Sequence, residues 1–211
     1  MVLTKQYDRH VPEKVFGIIG SGNANNIALL SSTLKRFGKP GPNGKHLAVE
    51  YQNEIINMFS IAQNETTVNF HGHKSTIITF TFTQDSATLI SGSKDTDIIA
   101  WDLITEAGLC RLRGHKAPVT KVIIMANQSI LISSSKDMTI KFWDMTIQHW
   151  FHTIVTHKTE MWSIGLAHDR YLITGCSDNE LRFFALRSTA TVMRFLVFLK
   201  ILIIEIYFFL T

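Results

Sequence analysis

The chain of 211 residues is 45% hydrophobic and 18% charged, which excludes an intrinsically disordered protein, because disordered chains combine low hydrophobicity with high net charge. The formal net charge of +4 is a mild basic bias, too small to indicate a nucleic-acid partner by itself. Two cysteines, Cys110 and Cys176, exclude a disulfide framework and fit a reducing compartment such as the cytosol or the nucleus.

A repeat of 42 residues runs through the chain. His-Lys pairs begin at positions 73, 115 and 157, and Trp-Asp pairs begin at positions 101 and 143. The same spacing leads forward to Phe184, one residue short, and backward to Phe59. An aspartate stands six residues before each of the last three aromatic positions, and a serine or threonine stands ten before. Four residue types that keep one phase over three copies indicate a structural repeat.

Each copy is predicted to contain four short strands. In the first copy TIITFTF, ATLISGS and DIIAW are β-branched and aromatic runs separated by turn sequences, and Leu109–Leu112 supplies an outer strand. The second copy reads VTKVIIM, ILISSS, TIKFW and WFHTIV in the same order. Residues 40–187 show no helical periodicity, so the predicted fold class is all-β.

A period near 42 with a Gly-His start and a Trp-Asp end is typical of the blades of a WD40 β-propeller. We predict an incomplete propeller with about three full blades plus partial ones, because the common seven blades need on the order of 290 residues. The predicted domains are a partial propeller over residues 1–187 and an apolar tail over residues 188–211. Within the propeller we expect a partial repeat at about 43–70 and repeats at 71–112, 113–154 and 155–187.

The resemblance to WD40 proteins implies a role for the repeated polar residues. In that family a histidine, a hydroxyl, an aspartate and a tryptophan indole form a hydrogen-bonded chain inside each blade. The resemblance therefore implies two complete structural tetrads, formed by His73, Ser91, Asp95 and Trp101 and by His115, Ser133, Asp137 and Trp143. In the third copy phenylalanine has no N–H to donate, so this blade is expected to be weaker, with the incomplete set His157, Thr174, Asp178 and Phe184.

These tetrads also account for the Ser, His and Asp residues that suggest nucleophilic catalysis. They recur once per repeat at the same spacing, as a structural role requires. His71 and His73 offer two imidazoles to a metal, but no third ligand is near in sequence. We therefore expect no catalytic residues, no bound metal and no cofactor, and we expect that the protein is not an enzyme.

Four segments resemble a narrower family, the amino-terminal region of WD repeat-containing protein 3, a U3 small nucleolar RNA-associated subunit of the small-subunit processome. They are Leu3–Tyr7, Val15–Ser21, Gly92–Asp102 and Gly108–Lys116. The similarity covers residues 1–30 and about 43–187. It implies a non-enzymatic scaffold in the nucleolus of the nucleus that serves ribosome biogenesis and pre-rRNA processing. The implied partners are other propeller proteins and the U3 small nucleolar ribonucleoprotein, with no small-molecule substrate.

Two alternative functions remain, a WD40 adaptor in another assembly and a membrane-tethered WD40 protein. Family members carry tandem propellers on a longer chain, so we interpret this sequence as a fragment, a splice product or a defective gene model, expected to aggregate or dimerise. The tail contains an apolar stretch, residues 192–210, interrupted by Arg194, Lys200 and Glu205. It is an artefact, a cover for the open edge or a membrane anchor, and its spacing allows Val192–Phe195 to act as an outer strand with Leu196–Leu210 left free.

Overall fold

A computed structural model describes residues 35–51, 54–63, 65–126, 129–155, 159–178, 180–188, 195–199 and 204–205. Every helix or strand assigned in these ranges is a β-strand. The resemblance segments Leu3–Tyr7 and Val15–Ser21 lie outside the described residues. The strands, in chain order, are β1 Lys35–Pro40, β2 His46–Tyr51, β3 Ile56–Ser60, β4 Glu65–Phe70, β5 Ile77–Phe82, β6 Thr88–Ser93, β7 Ile98–Asp102, β8 Ala107–Leu112, β9 Val119–Ile124, β10 Ile130–Ser135, β11 Thr139–Asp144, β12 His149–Val155, β13 Met161–Ala167, β14 Tyr171–Cys176, β15 Glu180–Ser188, β16 Phe195–Leu199 and β17 Ile204–Glu205.

These strands form four antiparallel sheets, each built from consecutive strands. The orders are β1-β2-β3-β4, β5-β6-β7-β8, β9-β10-β11-β12 and β13-β14-β15-β16. A meander of this kind follows from short strands joined by tight turns. Several turns use left-handed residues that repeat with the period of the sequence, such as Glu54, Thr96 and Met138 with φ of 64°, 73° and 63°.

The first strand of each sheet lies at the centre of the arrangement. β1 contacts β5, β5 contacts β9, and β9 contacts β13, so the sheets follow one another like blades around a common axis. In the described part of the chain no comparable contact joins the first sheet to the fourth, and the arc is open. This confirms the predicted all-β fold with propeller blades that do not close.

In the described residues the core consists of three apolar clusters, one between each pair of neighbouring sheets. Successive residues of a strand belong to different clusters: Leu89 packs toward the first sheet, and Ile90 packs toward the third. Because side chains alternate across a strand, both faces of a middle strand are buried, and every residue of β10 is buried although three of its six residues are serines. Close packing reaches the backbone at Gly92, where a Cβ atom would lie 2.7 Å from Val119 Cγ1 of the next sheet.

The first sheet contains four strands, although the sequence had indicated only a partial repeat at about 43–70. β1 begins at Lys35, before that repeat, and β2 to β4 complete the sheet up to Phe70. The sheet lacks the Gly-His and Trp-Asp residues that mark the other copies, so its strands carry only weak sequence evidence. Its inner residues Ala48, Ile56 and Met58 are nevertheless buried against the second sheet.

Part of the tail adds strands to the fourth sheet. β16 pairs with the second half of β15, and β17 pairs with the start of β15 through Glu180 and Leu181. Phe195, the last residue of the predicted outer strand, and Leu196–Leu199, which were expected to be free, are paired in β16. The predicted outer-strand residues 192–194 lie outside the described residues.

The membrane alternative concerns residues 192–210, most of which lie outside the described residues. Among the residues that the structure does describe, no helix is long and apolar enough to cross a membrane.

Alternate strand connections meet at the same end of every sheet. We call "upper face" the end that carries the connections β2–β3, β4–β5, β6–β7, β8–β9, β10–β11, β12–β13 and β14–β15. We call "lower face" the end that carries the connections β1–β2, β3–β4, β5–β6, β7–β8, β9–β10, β11–β12 and β13–β14. In an antiparallel meander successive connections lie at opposite ends of the sheet. Different segments of the sequence therefore determine the charge and shape of each face.

Candidate functional site

The structure brings His73, Ser91, Asp95 and Trp101 together at the upper end of the second sheet. Ser91 Oγ lies 2.7 Å from His73 Nε2 and accepts a hydrogen bond from Trp101 Nε1 at 2.8 Å. His73 Nδ1 lies 2.9 Å from Asp95 Oδ2. All four groups are satisfied when the indole donates to the serine, the serine donates to Nε2, and Nδ1–H donates to the carboxylate.

The third sheet repeats this geometry with His115, Ser133, Asp137 and Trp143. Ser133 Oγ lies 2.7 Å from His115 Nε2 and accepts from Trp143 Nε1 at 2.7 Å. His115 Nδ1 lies 2.8 Å from Asp137 Oδ2. Ser133, like Ser91 in the second sheet, has no exposed surface. A serine with no exposed surface does not contact a molecule in solution, so this geometry supports a structural role for both hydroxyls.

Each aspartate also fixes the connection that enters its blade. Asp95 accepts hydrogen bonds from the backbone N–H groups of Lys74 and Asp97 at 2.7 and 3.0 Å. Burial raises the pKa of Asp95, but the hydrogen bonds from His73 and these backbone groups outweigh burial and lower the pKa to about 2. The same set of causes, with Thr139 and Lys116 as donors, holds the pKa of Asp137 below its usual range. Both carboxylates are therefore ionised at neutral pH.

The glycine before each histidine gives the indole ring its space. A Cβ at Gly72 would lie 2.9 Å from Trp101 Cη2, and a Cβ at Gly114 would lie 3.3 Å from Trp143 Cη2. In the third copy the sequence replaces the glycine with Thr156 and the tryptophan with Phe184.

The fourth sheet arranges its polar residues differently. His157 lies outside the described residues. Thr174 Oγ1 donates to Arg182 O at 3.5 Å, and Asp178 forms an ion pair with Arg182 and accepts from Thr159 Oγ1 at 3.2 Å. Phe184 is 1% exposed and packs in the apolar cluster between the third and fourth sheets. Arg182 thus supplies a partner for Asp178 that the repeat pattern did not indicate.

Two other polar side chains near the axis were also missed by the repeat pattern. Glu50 is fully buried, and its Oε1 accepts from the backbone N–H of Ile77 at 3.2 Å. Lys39 Nζ donates to Phe80 O and Thr81 Oγ1, each at 3.4 Å. Glu50 stands 42 residues before Gly92, a position where the other copies carry small residues, so no sequence signal marked it.

Within the described residues no cluster of three or more His, Cys, Asp or Glu side chains could hold a metal ion. Cys110 and Cys176 are both half-buried free thiols. Burial raises the pKa of the Cys110 thiol, which keeps it protonated at neutral pH.

The model of the family described as the WDR3 first beta-propeller domain matches residues 25–186. The chain belongs to this family. The match spans all four sheets up to β15 and ends before the strands of the tail, β16 and β17. It also confirms the suspected resemblance and the WD40 propeller fold. No curated protein matches the chain.

The WDR3 propeller family is one of WD40 repeats, and propellers of this kind typically act as scaffolds. The geometry of this member agrees with that general role, because its repeated Ser, His and Asp residues are engaged with one another inside the blades. This arrangement holds the loops of each blade in fixed positions.

Proposed function

We propose that this chain is a non-enzymatic scaffold that contributes to ribosome biogenesis as a WDR3-like component of the small-subunit processome. Its partners would be other propeller proteins and the U3 small nucleolar ribonucleoprotein, and its location the nucleolus. The observation that carries this proposal is the WDR3 family match over residues 25–186. Membership in a family of scaffolds makes docking, and not turnover, the expected chemistry.

The proposed structural role of the tetrads supports this function. Each tetrad ties the loop that enters a blade to the turn between its two middle strands, so the upper face is held by hydrogen bonds buried under it. A satisfied buried network specifies a single arrangement and rigidifies the elements that it joins. Rigid loops lower the conformational entropy lost when a partner binds.

The direct test is co-sedimentation of the full tagged chain with U3 ribonucleoprotein from nuclear extract. We expect the chain to migrate with U3 RNA in a gradient and to shift to the top of the gradient after ribonuclease treatment. The Ser133→Ala variant tests whether recovery depends on the folded blades, because it disrupts a tetrad and should reduce the fraction of the chain recovered with U3 RNA. A chain that folds but never enters the U3 fraction refutes the processome role and leaves a scaffold in another assembly.

The tail is tested separately. Membrane flotation of the chain with and without residues 188–211 measures whether the tail binds lipid. Pairing of β16 and β17 with β15 supports a role as sheet edge, and we expect neither form to float.

A further inference from the structure

The second residue of each innermost strand lies in a register shift. The shifts occur at Arg36 in β1, Ile78 in β5, Thr120 in β9 and Trp162 in β13. These positions are 42 residues apart, so they occupy equivalent places on successive blades. A bulge re-aims its side chain away from the regular ladder, and these four bulges lie at the upper ends of the strands that surround the axis.

The side chain of Trp162 is more exposed than the described side chains at the equivalent positions. Thr120 is buried and bonded to Ser134 Oγ at 2.9 Å, and Ile78 is half-buried. Trp162 is 53% exposed. An indole is the largest apolar side chain available, and its exposure at the end of an inner strand is not explained by packing.

A lysine from the neighbouring blade fixes the environment of this indole. Lys136 Nζ lies 4.2 Å from the centroid of the Trp162 ring and 3.0 Å from Glu160 Oε2. The ammonium therefore contacts both a π face and a carboxylate, and Glu160 offsets part of its charge. The result is an aromatic surface with a positive charge beside it, at the boundary between the third and fourth sheets.

Positive charge continues along the upper face in phase with the repeat. Lys74 and Lys116 follow the tetrad histidines, while Lys94 and Lys136 precede the tetrad aspartates. Each pair is 42 residues apart, so its members lie at equivalent positions on the second and third sheets. Lys74, Lys94 and Lys116 are exposed, and Lys136 is half-buried. We call these four residues the lysine arc.

The carboxylates of the upper face do not cancel the lysine arc. Asp95 and Asp137 are held inside the tetrads. Asp97 lies between Arg111 and Arg113, with nitrogen–oxygen distances of 2.7 and 3.6 Å. Of the exposed carboxylates described on this face, Glu160 is paired with Lys136, and Glu54 lies in the connection after β2.

The lower face carries the opposite charge. In the described residues, its turns and the strand ends beside them carry six carboxylates against two cations, Lys45 and Arg170; the carboxylates are Glu65, Asp85, Asp102, Glu106, Asp144 and Asp169. Turn N–H and hydroxyl groups donate to two of these carboxylates and lower the pKa of Asp85 and of Asp102. The exposed side chains of the upper face are therefore mainly basic, because most of its carboxylates are paired or held in the tetrads, whereas the lower face carries more carboxylates than cations.

We propose that the upper face binds single-stranded RNA, with one base stacked on the exposed surface of Trp162 and neighbouring phosphates held by the exposed lysines of the lysine arc, Lys74, Lys94 and Lys116. Stacking on an aromatic side chain and phosphate contacts from a row of cations are the two interactions that sequence-tolerant single-strand binding uses. A protein partner rich in acidic residues would use the lysines but has no general need of the indole. The inference deepens the proposed scaffold function by naming the partner of this face.

The test is fluorescence anisotropy of a labelled oligoadenylate of about 12 nucleotides, a length that fits a single binding surface, titrated with the full chain. We expect Trp162→Ala to raise the Kd roughly tenfold and Trp162→Phe to raise it less, since phenylalanine retains a stacking face. The control is Tyr171→Ala, since Tyr171 lies in the same sheet at the lower face and is 52% exposed. It should leave the Kd unchanged.

Salt dependence tests the lysines independently. Lys94→Ala and Lys116→Ala should each reduce the slope of log K against log salt concentration by about 0.7, the value for one phosphate contact on a single strand. Arg170→Ala on the lower face is the matched control and should not change the slope.

Several results would overturn the proposal. The first is that the chain does not bind oligoadenylate, and the second is that Trp162→Ala and Tyr171→Ala raise the Kd equally. The third is that a polyglutamate peptide displaces the labelled oligoadenylate as well as unlabelled oligoadenylate does, which would assign the face to an acidic protein. The outcome is separable from that of the scaffold proposal. A chain that enters the U3 fraction but does not bind oligoadenylate retains its proposed function and loses this one.

Discussion

Ser133 is the centre of the tetrad in the third sheet, and its removal gives a sharp test of that network. Ser133→Ala deletes the only hydroxyl that contacts both Trp143 Nε1 and His115 Nε2 in the described residues, each at 2.7 Å. Both nitrogens are then left without a partner inside the blade. An orphaned buried polar group costs about 1–3 kcal/mol, so Ser133→Ala should lower the free energy of unfolding by roughly 2–6 kcal/mol.

The reasoning predicts a specific non-additivity. Trp143→Phe removes the indole N–H while keeping a buried ring, and the serine still bonds to His115. In the double variant Ser133→Ala with Trp143→Phe, no orphaned indole remains. The double variant should therefore be more stable than the sum of the single effects predicts, by about 1–3 kcal/mol.

The assay is urea unfolding of the four proteins in the double-mutant cycle, followed by circular dichroism at neutral pH. Additive effects, within about 0.5 kcal/mol, would show that the indole and the serine act independently and would refute the network. Ser163→Ala is a control, since Ser163 is exposed on β13, and it should change the free energy of unfolding by less than about 0.5 kcal/mol.

Three further predictions concern packing and charge. Gly92→Ala places a methyl group against the next sheet and should destabilise the chain by about 1–3 kcal/mol in thermal unfolding, whereas Gly165→Ala, with nothing within 4 Å, should cost nothing. Asp95 has a folded pKa of about 2, below its ordinary 3.8, so its contribution is present above pH 3.8 and is lost as pH falls toward 2; the Asp95→Asn variant should show a smaller loss of stability over this window in acid titrations. Burial and the charge of Lys121 lower the pKa of Lys39, which shows that its charged form is disfavoured in the folded chain. Lys39→Met should therefore raise the unfolding midpoint in urea. A lower midpoint would show that the two hydrogen bonds of Lys39 stabilise the chain by more than the burial of its charge destabilises it.

The acid prediction separates two uses of carboxylates in this chain. Protonation of Asp95 lowers the free energy of unfolding of the chain, because the hydrogen bonds of its carboxylate join two connections of one blade. The lower-face Asp102 lies at the end of β7, and its carboxylate accepts hydrogen bonds from the Ile104 N–H and the Thr105 hydroxyl of the following turn, at 2.8 Å each. Asp102→Asn should therefore change the acid titration less than Asp95→Asn does, because water replaces much of what a carboxylate at the surface contributes.

The residues of one blade could be grouped from the sequence because a blade is a local structure. His73, Ser91, Asp95 and Trp101 lie within 29 consecutive residues, and the antiparallel meander folds that segment onto itself. Register in such a meander is fixed by tight turns and by alternation of side chains, both of which are visible in the sequence. The period of 42 therefore determined the strand order of the second and third sheets and the spacing of their polar residues.

Only the tertiary structure decided what happens between blades and at their ends. Glu50 finds Ile77 in the next sheet, Lys39 approaches Lys121 two sheets away, and Lys136 covers a tryptophan that belongs to its neighbour. These contacts depend on how far each sheet is rotated and spaced from the next, which no repeat within one chain records. The exposure of Trp162 also depends on the placement of neighbouring sheets, because the bulge in β13 and Lys136 of the third sheet together determine how much of the indole contacts solvent.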